Sequence, residues 1–241
     1  MTASSYGELL ERLVSARRFG VRLGLERMRE LLDRLGRLGD PRLGEVIHVG
    51  GTNGKGSTVA MIAALVRAAG KRVATYTSPH LSTLRERVLI DGELQSEAAW
   101  LAAAARVSAA GGDELTFFEQ LTAIGMVLIA DARVDVTILE VGLGGRLDAT
   151  NVVDAPVALV TGVALDHEAI LGTTLEAIAF EKAGIFKRVG QEVQGFDGVV
   201  DDQYRFATLH DSCSISSERN AIYCGKSRSR DIASRRSTSH R

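Results

Sequence analysis

A glycine-rich segment lies between a run of apolar residues and the start of a helical pattern, and it constrains the fold more than any other stretch of the chain. Its sequence is Val46-Ile47-His48-Val49-Gly50-Gly51-Thr52-Asn53-Gly54-Lys55-Gly56-Ser57-Thr58. The apolar residues before the glycines predict a buried strand, and Ser57 onward predicts a helix with a wide apolar face. Glycines let backbone amides converge, a helix start adds partial positive charge, and Lys55 adds a full charge. Residues 51–58 are therefore predicted to form a phosphate cradle.

The spacing of this segment differs from the common phosphate-loop pattern. Val49 stands where that pattern has its first glycine, and Gly56 separates Lys55 from Ser57. A solvent-facing glycine turn between strand and helix is the alternative interpretation. The lysine and the hydroxyl groups at the helix entry favour the cradle.

Composition limits the classes of partner. The chain has 241 residues, 45% of them hydrophobic and 24% charged, with a net charge of −1, which is typical of a globular protein and indicates neither nucleic acid nor an anionic membrane as a partner. We see no basic signal-peptide start, and no apolar run reaches the roughly 18 residues of a membrane span. Cys213 and Cys224 match no zinc spacing. We expect a monomer in the reducing cytoplasm.

Strand and helix patterns alternate along the chain. After the first strand, further strands are predicted at 72–76, 134–141 and 157–163, and helices at 8–19, 25–38, from 57, 96–110, 117–130 and from 173. Val88-Leu89-Ile90 with Asp91-Gly92 predicts a small hairpin outside this alternation. The fold class is therefore α/β with a doubly wound, mostly parallel sheet, in which ligands collect beyond the carboxyl ends of the strands.

Polar clusters follow these strand ends and should converge on one crevice. They are Thr77-Ser78-Pro79-His80, Gly142-Leu143-Gly144-Gly145 and Leu165-Asp166-His167-Glu168. Three residues carry more than one interpretation each. Glu119 is either functional or part of a capping box with Thr116. His167 is a metal ligand, a base or a loop histidine, and Lys182 is either functional or a solvent-exposed helix partner.

Six motifs are more informative about the family of the chain than these patterns. They are Gly51-Thr52-Asn53-Gly54-Lys55-Gly56-Ser57, Thr77-Ser78-Pro79-His80-Leu81, Thr116-Phe117-Phe118-Glu119, Leu139-Glu140-Val141-Gly142-Leu143-Gly144-Gly145-Arg146-Leu147-Asp148-Ala149-Thr150-Asn151, Leu165-Asp166-His167 and Glu181-Lys182-Ala183-Gly184-Ile185. In this order they resemble folylpolyglutamate synthase/dihydrofolate synthase, of the Mur ligase superfamily. The resemblance runs from about Leu23 to Lys187 and corresponds to the N-terminal, P-loop-type ATPase domain.

The resemblance implies an ATP-dependent ligase of folate biosynthesis. ATP would phosphorylate the carboxylate of dihydropteroate or a reduced folate, and the amine of L-glutamate would attack the acyl phosphate. The phosphate-binding residues would be Gly51, Thr52, Asn53, Gly54, Lys55, Gly56, Ser57 and Thr58. Ser78, Glu119 and His167 would hold Mg²⁺, and Lys182 would be carbamylated. Lys55, Lys182 and His167 would be catalytic, and residues 82–90 would help to form the pterin-binding side. Asp148 and Asn151 receive no individual role.

The chain departs from the family mainly at its end. Gly50 replaces an alanine, which is a mild change. Residues 191–241 are Ser/Arg-rich and match neither the rest of the ATPase domain nor the family's C-terminal domain. The expected organisation is a partial Mur-ligase-like ATP-binding domain over 1–190 and an atypical, disordered tail over 191–241, as a truncated or frame-shifted reading frame would give. The chain is then a ligase, inactive if truncation removes essential parts; the alternative is a non-catalytic Mg-ATP-binding module or partner subunit.

Overall fold

The computed structural model describes residues 3–37, 39–187, 213–216 and 221–225. Seven α-helices lie in these parts: α1 Tyr6–Ser15, α2 Glu26–Arg34, α3 Lys55–Ala68, α4 Glu97–Ala109, α5 Phe117–Ala132, α6 Glu168–Leu171 and α7 Leu175–Ala183. The strands in the same parts are β1 Glu45–Gly50, β2 Val73–Tyr76, β3 Val88–Ile90, β4 Glu93–Leu94, β5 Val136–Glu140, β6 Val157–Val160, β7 Cys213–Ser216 and β8 Ala221–Gly225. Short 3-10 helices occupy Ala16–Phe19, Pro41–Leu43, Leu84–Arg87, Gly112–Glu114 and Ala149–Val152.

All strands join one sheet in the order β4-β3-β2-β5-β1-β6-β8-β7. The four central strands, β2, β5, β1 and β6, are parallel, and the outer pairs are antiparallel. Their register aligns Val49 with Glu140 and Gly50 with Val160. The carboxyl ends of β1, β5 and β6 therefore meet at one edge of the sheet, which confirms the expected α/β fold with a mostly parallel sheet.

The two faces of the sheet are covered differently. On one face, helices α1, α2, α4 and α5 form the larger core, in which Trp100, Leu121 and Ile124 are buried. On the other face, Val59 and Ala63 of α3 pack against residues of β1, β2 and β5. Residues of each strand contribute alternately to the two faces, because the side chains of successive residues point to opposite sides of the sheet.

Most predicted elements are present with shifted ends. Ser96 and Thr116 cap α4 and α5 as the sequence predicts. The predicted hairpin is β3–β4, and it pairs with β2 at the edge of the main sheet. Helix α3 begins two residues before Ser57, because Gly54 takes a left-handed conformation directly before it. The short helix α6 was not predicted.

The expected tail, 191–241, contains β7 and β8. Over those strands the structure differs from the prediction, because β8 pairs with β6 through backbone hydrogen bonds. The rest of this segment lies outside the described residues, so its predicted disorder stays a prediction.

Candidate active site

The cradle is built by the turn from β1 into α3. Gly54 precedes α3 with φ of 82°, and Gly51 has φ of 134°; both lie in the region that side chains disfavour. A Cβ atom on Gly51 would also lie 2.0 Å from Oγ1 of Thr161. Residues 55–58 form the first turn of α3, where Gly56 and Ser57 are exposed. The predicted phosphate-binding residues therefore form one continuous turn at a helix N-terminus.

Two lysines converge on one carbonyl group of this turn. Lys55 Nζ donates to the carbonyl oxygens of Gly51 and Thr52, both at 3.0 Å. Lys182 Nζ, on α7, donates to the same Gly51 oxygen at 3.2 Å. The structure thus brings together two residues that are 127 positions apart and concentrates positive charge beside the N-terminus of α3.

Lys182 is only 4% exposed, so its default interpretation as a solvent-facing helix residue is wrong. Burial, followed by repulsion from Lys55, lowers the pKa of Lys182 to about 8, and attraction by Asp166 partly offsets this. The amine therefore loses its proton close to physiological pH. A neutral lysine is the form that carbamylation requires.

Glu140 supplies a buried carboxylate to the same edge. It is the last residue of β5, and its Oε2 accepts the backbone amide of Ser78, which follows β2, at 3.0 Å. A Cβ atom on Gly56 would lie 3.9 Å from both oxygens, so the carboxylate faces the start of α3. Burial raises the pKa of Glu140, while Lys55 and Arg87 oppose the rise. Glu140 is not among the site residues predicted from the sequence. The sequence feature that could have indicated it is an acidic residue at the end of an apolar strand, just before a glycine-rich run.

Glu119 has different surroundings. Its Oε2 accepts the backbone amide and hydroxyl of Thr116, at 2.9 and 2.7 Å, and its Oε1 accepts Arg27 Nη2 at 2.8 Å. These contacts confirm the predicted capping box of α5. They tie Glu119 to its own helix and to α2, whereas the carboxylate beside Ser78 and α3 is that of Glu140. The role of Glu119 as a metal ligand stays a prediction.

His167 lies in the loop before α6, with φ of 52° and a side chain that is 55% exposed. Its backbone amide donates to Asp166 Oδ1 at 2.8 Å, and its Nε2 lies 3.7 Å from Asp166 Oδ2. Because Asp166 acts electrostatically on Lys182, this loop belongs to the same edge of the sheet. The imidazole is open to solvent and free to contact a ligand.

The segment after β6 is fastened to the cradle. The backbone amide of Thr52 donates to Gly162 O at 2.9 Å. The Thr52 hydroxyl accepts the Ala164 amide at 3.0 Å and lies 3.2 Å from the Ala164 oxygen. The Thr161 hydroxyl donates to Asn53 O at 2.6 Å. Thr52 and Asn53 therefore also organise the loop, a role that motif spacing does not reveal.

Asp148 and Asn151 hold the second glycine-rich loop. Buried Asp148 accepts the amides of Gly142, Leu143 and Thr150 at 3.1, 2.8 and 3.0 Å, and burial raises the pKa of its carboxyl group. Asn151 Nδ2 donates to the oxygens of Arg146 and Gly184, each at 3.0 Å. These bonds fix the loop between Glu140 and the end of α7, which carries Lys182.

Oxygen donors at this edge suit a hard divalent cation with few protein ligands. The carboxylate of Glu140 and the hydroxyl of Ser78 belong to this class, which Mg²⁺ and Mn²⁺ accept when phosphates and waters complete the shell. Within the described residues, no three or more His, Cys, Asp or Glu side chains are grouped so as to hold a metal by themselves. None of the described helices is long and apolar enough to cross a membrane.

Known proteins are similar to this chain in sequence. A profile of the Mur ligase middle domain matches residues 49–232, beyond residue 187, where the resemblance was expected to end. The dihydrofolate synthase/folylpolyglutamate synthase of Escherichia coli (strain K12) is 49% identical over 166 residues, which cover 68% of this chain and 39% of that protein.

Solved structures are also similar to this chain. E. coli FolC in complex with DHPP and ADP superimposes with a TM-score of 0.73 at 46% identity, over 77% of this chain and 44% of that one. A bifunctional folylpolyglutamate synthase/dihydrofolate synthase with Mn, AMPPNP and L-glutamate bound gives 0.70 at 45% identity, over 77% and 45%. The chain thus spans less than half the length of these relatives. It belongs to the Mur ligase family, through a middle domain similar to that of the folylpolyglutamate and dihydrofolate synthases.

Proposed function

We propose that this chain is the ATP-binding part of an ATP-dependent ligase that joins L-glutamate to dihydropteroate or a reduced folate. The observation that carries the proposal is the convergence of Lys55 and Lys182 on the Gly51 carbonyl beside buried Glu140. Such a site offers cations and amides to phosphates and a carboxylate to a metal ion. Relatives bound to ADP or to AMPPNP with L-glutamate support this choice of ligands.

The reaction has two steps. A carboxylate oxygen of the acid attacks the γ-phosphorus of ATP and ADP leaves, which gives an acyl phosphate. The amine of L-glutamate then attacks the acyl carbon; a C–N bond forms, the C–O bond to phosphate breaks, and the amine loses a proton. Both steps bring anions together, so cationic groups and backbone amides must lower the repulsion.

Individual residues have separate tasks in this proposal. Lys55 and the amides of the cradle bind the phosphates of ATP. Glu140, Ser78 and His167 would hold Mg²⁺, which would supply charge neutralisation when bound, and Glu140 takes the place first predicted for Glu119. Lys182, once carbamylated, becomes an anion that orients the metal's surroundings. We expect the ligase to which this part belongs to act as a monomer in the cytoplasm.

Turnover tests the proposal directly. Phosphate release is measured with ATP, L-glutamate and dihydropteroate or a reduced folate, and each omission should abolish it. Light scattering during the assay reports whether the active species is a monomer. Phosphate release that does not depend on L-glutamate contradicts ligase activity for this chain. The absence of phosphate release while Mg-ATP still binds contradicts it as well. The second result favours the alternative of a non-catalytic Mg-ATP-binding module.

Replacing Lys55 tests the cradle itself. Lys55→Ala should weaken Mg-ATP binding at least about tenfold, because a charged hydrogen bond to phosphate contributes more than a neutral one. Isothermal titration calorimetry measures the dissociation constant. Lys71→Ala is the matched control, because Lys71 is exposed just past the far end of α3. Equal ATP affinity in both variants and the unmodified chain would refute the cradle.

A further inference from the structure

Each of the three consecutive carbonyl groups of the cradle is held by a side-chain donor. Lys55 and Lys182 hold the Gly51 oxygen, and Lys55 holds the Thr52 oxygen. The Asn53 oxygen is held by the hydroxyl of Thr161, at 2.6 Å. In a planar trans peptide the C=O and the following N–H point in opposite directions. Fixing a carbonyl on one side therefore fixes the next amide on the opposite side: the Thr52 amide donates to Gly162 O, and the Gly54 amide is the one that follows the carbonyl held by Thr161.

Thr161 is the donor of this set that carries no charge. It follows β6, and its backbone amide donates to Gly50 O at 3.0 Å, which extends the β1–β6 pairing to the cradle. Its hydroxyl also lies 3.2 Å from Gly50 O, a longer contact than that to Asn53 O. The hydroxyl fills the space that a side chain at position 51 would need. Thr161 thus reaches the cradle from a strand end 108 residues away from Asn53.

We propose that Thr161 is a positioning residue of the nucleotide site: its hydroxyl holds the Asn53 carbonyl out of the cradle, so that the Gly54 amide faces the phosphates. The identity of the ligand rests on the proposed function, whereas the geometry does not. Because a hydroxyl does not titrate in this range, the effect of Thr161 is the same from pH 6 to pH 9. Valine is the near-isosteric residue that lacks the donor, and serine retains it.

Nucleotide affinity gives the first readout. Thr161→Val should raise the dissociation constant for Mg-ATP about tenfold, the usual effect of one lost hydrogen bond at a charged ligand. Thr161→Ser should stay within about twofold of the unmodified chain. Thr137→Val is the matched control, because buried Thr137 donates to Leu43 O, between β5 and the 3-10 helix Pro41–Leu43. Its ATP affinity should not change, although its unfolding free energy falls.

Amide exchange in the ligand-free chain gives the second readout. The Thr52 amide is bonded to Gly162 O, so a loosened cradle should expose it. NMR should show about tenfold faster exchange of this amide in Thr161→Val and not in Thr161→Ser or Thr137→Val. If the Thr52 amide exchanges faster only in Thr161→Val and no variant binds ATP, the positioning role is supported and the nucleotide assignment is overturned. A Thr161→Val chain that binds ATP and exchanges like the unmodified chain overturns the positioning role.

Discussion

Glu140 and Glu119 show how surroundings separate two buried acids of the same type. Glu119 is 2% exposed and Glu140 is 4% exposed. The carboxylate of Glu119 is neutralised by Arg27 and bound by the N-terminus of its own helix. Glu140 accepts one backbone amide from Ser78 and faces the start of α3. A cation therefore gains more from Glu140, because Glu119 already has a positively charged partner.

Exchanging each acid for its amide should separate the two roles. Glu140→Gln should raise the Mg²⁺ concentration needed for half-maximal ATP binding about tenfold, and leave the unfolding free energy equal or higher, because burial already disfavours the charge. Glu119→Gln should lower that free energy by about 1–3 kcal/mol, because Arg27 loses its charged partner. Calorimetry with varied Mg²⁺ and urea unfolding measure both effects. If only Glu119→Gln raises the Mg²⁺ concentration needed for half-maximal ATP binding, Glu119 and not Glu140 is the metal ligand.

The lowered pKa of Lys182 makes stability depend on pH. The unfolded chain binds a proton on this lysine up to about pH 10.5, and the folded chain only up to about pH 8. Between these values the unfolded state binds more protons, so stability rises with pH, by about 1.4 kcal/mol per pH unit at most. Urea unfolding from pH 7 to 10 should show this rise, and Lys182→Met should lack it. A Lys71→Met control should keep the rise; identical curves for all three chains contradict the assignment.

The cradle could be predicted from the sequence because its glycines and its first lysine are close together in the chain. Gly51, Gly54 and Lys55 lie within five residues, and the strand and helix around them are set by apolar periodicity. The tethering by Thr161 and the burial of Lys182 could not be predicted in this way, because both depend on which strand ends meet. Glu119 matched two patterns at once: its contacts with Thr116 confirm the capping box, whereas its role as a metal ligand stays a prediction that its contact with Arg27 disfavours.

At the scale of elements, β1 is joined to the 3-10 helix Ala149–Val152 by a buried polar chain. Nε2 of His48 lies 2.8 Å from Oγ1 of Thr150, and that hydroxyl lies 2.5 Å from Oδ1 of Asp148. Since the hydroxyl has one proton to give and the carboxylate accepts it, Nε2 of His48 carries the other proton and donates to Thr150. Strand β1 and the second glycine-rich loop are thereby held together.

Acid should break this connection. Burial, and then the charge of Lys187, lower the pKa of His48 from 6.5 to about 3. Between these values the unfolded state binds more protons, so stability falls as pH decreases, by about 1.4 kcal/mol per pH unit at most. His48→Gln keeps a donor at the Nε2 position and does not titrate there. The difference in unfolding free energy between the two chains should shrink from pH 7 to pH 4; a constant difference contradicts the role of His48.

The ends of the helices and strands show which features can be predicted from neighbouring residues alone. Ser96, Thr116 and one of Thr173 and Thr174 were expected to begin helices, and in the structure the side chains of Ser96, Thr116 and Thr174 accept backbone amides as caps. The start of α3 was misplaced, since a left-handed glycine can replace a side-chain cap. The hairpin β3–β4 was predicted, but its addition to β2 could not be, because strand pairing depends on the remainder of the sheet.

At the scale of the whole molecule, the described residues cover one face of the sheet thickly and the other thinly. Four helices form the larger core, whereas α3 leaves Met61 and Leu65 60% and 71% exposed. These side chains lie one turn apart on the outer side of α3. Exposed apolar groups of this size favour self-association of a chain studied by itself.

Polar substitution should therefore improve solubility at no cost in stability. The double variant Met61→Gln/Leu65→Gln should change the unfolding free energy by less than about 0.5 kcal/mol, because neither side chain is buried. Light scattering at rising protein concentration should show less association than in the unmodified chain. Met126→Gln, at a residue that is 2% exposed, should instead destabilise by several kcal/mol. A comparable loss in the double variant would show that the α3 face contributes to folding.

The carbonyl of Gly51 also sets the order in which the chain can mature. It accepts a hydrogen bond from a residue 131 positions later, so local collapse around β1 and α3 cannot complete the turn. Closing so long a loop costs entropy before any contact repays it. The cradle reaches its final shape only after the segment carrying α7 has folded back onto β1. The nucleotide proposed for this site would therefore stabilise only chains that have finished folding, and an unfinished intermediate would gain no protection from it.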